Sequence, residues 1–182
     1  MMAAPSTFSI LAAALYLVVA GAAVAAAAEA LRRRQVTWHL IVWGIIAALF
    51  AGFAIMRIYG LEDMLRGDLR TILYTERTYE ERRSLQKPLF ALVFMVAAAM
   101  VGGLVYVLAN SVRGRRDVAA MVAIGSTGGL IFLALLRLVS LHSVDALLYG
   151  PLKLNWFADL GMTLAVLACA FRYCLVVRTR QD

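Results

Sequence analysis

Five apolar stretches, each about 20 residues or longer, occupy most of this 182-residue chain and decide what it can become. They cover about residues 8–30, 36–58, 88–110, 118–148 and 154–177, and charged segments separate them. At about 1.5 Å per residue each is long enough, as a helix, to cross the roughly 30 Å of a bilayer's hydrocarbon. Hydrophobic residues make up 63% of the chain and charged ones 16%, where a soluble domain carries about 45–50% and 25%. One water-soluble core of this size cannot bury that surplus, whereas lipid can face it directly. The expected fold is all-α: a single polytopic domain, residues 1–182, of five transmembrane helices with one amphipathic surface helix outside the membrane.

The net charge of +7 does not point to nucleic acid, because the basic residues sit in short clusters at the ends of apolar runs. Loops that orient membrane spans have that pattern. The first span resembles a secretion signal in having small residues near its end. No Lys or Arg precedes it, so it reads as a retained span. Cys169 and Cys174 lie five apart in the last span, roughly 140° apart around a helix, too divergent to bridge.

The links 31–35, 111–117 and 149–153 are tight, so spans one and two, three and four, and four and five should pair as antiparallel neighbours. The link 59–87 is long and highly charged. Leu61, Met64, Leu65, Leu69, Ile72 and Leu73 recur in it at helical intervals, which predicts an amphipathic helix lying on the membrane surface. Nine basic residues fall on each side of such a topology, so the positive-inside rule ties. The uncharged start of span one, followed by Arg32, Arg33 and Arg34, breaks the tie. The N-terminus is expected outside and the C-terminus in the cytoplasm of a bacterial inner-membrane protein.

Charge within a membrane span is expensive and usually has a reason. Arg137 and Asp159 are expected at similar depth near the outer surface, where an ion pair between them or snorkelling to headgroups is the alternative. His142 and Asp145 share one side of span four just beyond. The external link brings Glu80, Arg82, Arg83 and Gln86 over the same region, so these eight residues form the candidate polar cluster. A metal site there is disfavoured, since one histidine stands among many arginines. Haem held between two histidines is excluded on spacing, because His39 and His142 lie at opposite ends of their spans. His39, beside Trp38, reads as part of an interfacial belt. No cofactor is expected.

Gly125 and Gly129 in span four have the spacing of close helix contacts, and Gly102 and Gly103 in span three lie in a similar small-residue tract. No GxSxG, HExxH or phosphate-loop motif appears, nor paired carboxylates in the hydrocarbon, so no catalytic residue is assigned. The segment TYEERRSLQKP ahead of span three and RLVSLHSVDALLYG in span four resemble small bacterial multi-spanning membrane proteins. The resemblance covers roughly 60–175 and rests on Tyr79, Arg82, Arg83, Gln86, Arg137, Ser140, His142 and Asp145. It implies a membrane bundle with its interest at the outer cluster and brings no established activity.

Function is therefore expected to come from association, as an accessory subunit of a membrane complex or as a homo-oligomer. The partners are the lipid bilayer and other subunits or further copies. The alternative is a ligand-handling protein, in which the outer cluster takes an anionic lipid, a small solute or a pigment.

Overall fold

The computed structural model describes residues 7–61, 114–139 and 154–179, together with positions 64 and 95. Four long helices account for nearly all of them: α1 (Thr7–Arg32), α2 (Thr37–Tyr59), α3 (Arg115–Val139) and α4 (Leu154–Thr179). All four are long and apolar enough to cross a membrane. The observed starts and ends of α1, α2 and α4 fall within two residues of the expected first, second and fifth spans. The expected third span (88–110) and nearly all of the external link (59–87) lie outside the described residues.

The turn between α1 and α2 shows how the chain reverses in four residues. Arg34 adopts a left-handed conformation (φ 46°), Gln35 N–H donates to Ala30 C=O at 2.9 Å, and Arg34 N–H donates to Leu31 C=O at 3.2 Å. This pair of bonds is a Schellman cap, which satisfies the last free carbonyls of α1. A left-handed glycine, Gly60 (φ 61°), ends α2 and gives its N–H to Met56 C=O. That cap turns the chain out of the helix at no steric cost, because glycine has no Cβ.

α1 packs against α2 and α4, and α3 packs against α4, with only a slight α2–α3 contact. The α1–α2 and α3–α4 pairs are those the short links require; the α1–α4 contact closes the bundle. Complementary side-chain size makes these contacts close. α1 offers Ala13, Ala20, Ala23 and Ala26, while α2 and α4 insert Trp43, Phe50 and Tyr173, the last three fully buried. Tyr16, Phe50 and Phe53 meet at centroid distances of 5.8–5.9 Å.

Outside this seam the helices stay apolar. Only 28–44% of each spanning window is buried, and Phe157, Leu31, Phe8 and Leu175 lie more than 60% exposed. Helices that are oily on both faces while burying only one of them fit hydrocarbon, not water.

Gly129 of α3 lies against the Met162 side chain of α4: a Cβ there would lie 2.6 Å from Met162 Sδ. Gly129→Leu should destabilise the bundle by about 1–3 kcal/mol through overpacking. Gly161→Leu, in open space on α4, should not destabilise the bundle and should gain up to about 1 kcal/mol from helix propensity. Unfolding in mixed micelles compares the two.

Candidate functional site

The described helices carry two polar centres, one at each end of the bundle. At the end holding the α1–α2 turn, His39 (1% exposed) sits in the first turn of α2 and reaches two other helices. Its Nε2 lies 3.0 Å from Asp117 Oδ1 on α3, and its Nδ1 lies 3.0 Å from the Tyr173 hydroxyl on α4. Tyr173 meets the imidazole edge-on and packs against Trp43. The ring thus joins three helices, and both nitrogens are taken up by protein groups.

Around this centre lies a more exposed ring of charge. Arg178 of α4 grips Glu29 of α1 through Nε (2.9 Å) and Nη2 (2.6 Å), and Arg33 approaches the second carboxylate oxygen at 3.7 Å. Arg116, next to Asp117, donates to the side-chain carbonyl of Gln35 in the turn. The end of every described helix at this surface is therefore tied to a neighbour by a side chain. In hydrocarbon an unpaired carboxylate is costly, so pairing accounts for both Glu29 and Asp117.

At the opposite end Asp159 is the hub. Its Oδ1 accepts the Tyr16 hydroxyl of α1 at 2.6 Å, and its Oδ2 lies 3.3 Å from Arg57 Nη2 of α2. The sequence leaves Asp159 either paired with Arg137 or snorkelling to headgroups; the described cation on it is Arg57 of α2. Arg137 lies in α3, but its side chain is outside the described set. Glu80, Arg82, Arg83, Gln86, His142 and Asp145 also lie outside it, as do Gly102 and Gly103. Of the expected polar cluster, Asp159 alone has a described environment. Gly129 has the contact with α4 given above.

Sequence reasoning passed over the His39 centre because His39 was placed in an interfacial belt. The missed signal is depth. His39 and Asp117 are each the third residue of their helix, and Tyr173 lies seven from the end of α4, all measured from one surface. The same depth matching that joined Asp159 to a cation would have joined these three.

A third feature faces outward. Gly44, Ala48 and Gly52 repeat at four-residue intervals on α2, flanked by Ile41, Ile45 and Ile55, each more than half exposed. On a helix these six fall within about 100° of arc. Cβ atoms added at Gly44 and Gly52 would meet nothing within 4 Å, and the same holds at Gly21 on α1. Comparison with protein-family models, curated proteins and solved structures finds no match, so the function is argued from this geometry.

Proposed function

We propose that the chain is a non-enzymatic, five-span protein of a bacterial inner membrane that works by association, as a homo-oligomer or as an accessory subunit. The outward ladder of Gly44, Ala48 and Gly52 carries this reading. Lipid supplies no hydrophobic drive between helices, so contact in a membrane depends on small residues that let backbones approach closely. Glycine also disfavours a helix by about 1 kcal/mol relative to alanine, and packing inside the described bundle makes no use of Gly44 or Gly52. A second helix laid along the ladder does use them. The buried polar groups support the same reading: both nitrogens of His39 and both oxygens of Asp159 hold helices together. The N-terminus is placed outside and the C-terminus in the cytoplasm, where the arginines around the α1–α2 turn favour the inner side.

The test is cross-linking through Ala48→Cys after replacing Cys169 and Cys174 with serine. A product of twice the chain mass shows a second copy on the ladder, and a heavier mixed product shows a different subunit. Gly52→Trp, added to the Ala48→Cys protein, should abolish either product and return the protein to one chain per detergent micelle. A parent protein that is already monomeric in mild detergent and lipid, with no cross-linked product, contradicts the proposal.

A further inference from the structure

Where α1 begins and α4 begins, a cavity of about 200 Å³ opens between the two helices. Leu11 and Leu15 of α1 and Leu160 of α4 give it apolar walls. Phe8 and Trp156, both lining residues, meet edge to face at 5.4 Å beside it. Along α4, Asn155, Asp159 and Thr163 contribute a polar stripe at four-residue spacing, about 12 Å long at 1.5 Å per residue.

Two observations narrow what this space can take. Arg57 and Asp159, which both line it, are paired with each other at 3.3 Å, so the site offers an ion little net charge. Thr163, at the membrane-centre end of the stripe, is 0% exposed, and its hydroxyl has no hydrogen-bond partner among the described residues. A hydroxyl buried without a partner is unfavourable, and native structures satisfy the large majority of such groups. The volume exceeds the roughly 150 Å³ of a dry cavity known to hold benzene. It suits one substituted ring.

We propose that this cavity binds a neutral, single-ring lipophile of the quinone or phenol class, whose oxygen pairs with the Thr163 hydroxyl while the ring lies between Leu15 and Leu160. Such a molecule enters from the bilayer, where the apolar walls also lie. The site is separate from the α2 ladder and does not rest on the association reading.

The test uses the full chain in phosphatidylcholine nanodiscs, with a decyl-substituted benzoquinone as probe, decylbenzene as its hydrocarbon control and empty discs as the partition blank. Equilibrium dialysis should show saturable uptake of one benzoquinone per chain and only disc-level uptake of decylbenzene. Ala12→Leu, which fills the cavity wall, should weaken binding by tenfold or more. Thr163→Val should weaken it about three- to tenfold, the range for one hydrogen bond. Without probe, Thr163→Val should unfold at the same or a higher temperature, because it removes the orphaned hydroxyl; loss of binding is then not loss of fold. Uptake no greater than in empty discs overturns the proposal, as does equal binding of decylbenzene. So does wild-type affinity in either variant.

Discussion

Replacing His39 with alanine should lower the stability of the bundle by about 3 kcal/mol, the largest effect expected of any single polar substitution among the described residues. Three contributions add. Two side-chain hydrogen bonds within a membrane bundle are each worth about 0.6 kcal/mol on average and at most about 1.7. A fully buried imidazole leaves a cavity whose lining loses contacts on every side. The Tyr173 hydroxyl, itself fully buried, loses its described partner, which costs about 1–3 kcal/mol. Reversible unfolding in mixed micelles measures the total. A change under about 0.5 kcal/mol, the ordinary range for surface positions, would mean that α2, α3 and α4 do not depend on this ring.

Phe50→Ala should follow, at about 2–3 kcal/mol. Phe50 is fully buried against Tyr16 and Phe53 where α1 meets α2. In water its truncation would forfeit both transfer free energy and packing, about 3–5 kcal/mol. In a bilayer lipid tails are as apolar as the core, so the transfer part largely disappears and the packing part remains. Leu17→Ala, at a position 52% exposed on the outer face of α1, should then change stability by less than about 0.5 kcal/mol. Equal losses at Phe50 and Leu17 would argue that the outer face is packed against something as closely as the inner one.

Much of this architecture could be read from residue order, and what escaped has an identifiable reason. Length and composition alone locate α1, α2 and α4, because an apolar run flanked by arginines has few other uses. The tight link at 33–36 determines that α1 and α2 are neighbours. Which face of each helix turns inward was harder to see, since α1 is apolar all round and Ala13 differs from Ala14 only in what stands opposite. Tyr16 and Trp43 were visible as aromatics in a span, but their neighbours belong to helices more than 100 residues away or across the seam. Asp159 was legible as a charge needing a partner at its own depth. Among the described residues a cation reaches it from α2, because Arg57 stands in the last turn of that helix and can reach across. His39 was misjudged for the converse reason: beside Trp38 it has the sequence of an interfacial residue, and only the approach of α3 and α4 makes it internal.

The account depends above all on α2 crossing a membrane, with the α1–α2 turn on one side and the end of α2 on the other. Single cysteines at Arg32 and Tyr59, in a chain whose own two cysteines are serine, can be probed with an impermeant maleimide in sealed, oriented vesicles. The two sites are predicted to label from opposite sides, Arg32→Cys from the face bearing the C-terminus. Labelling of both from one side, or recovery of the protein in the detergent-free soluble fraction, would contradict it.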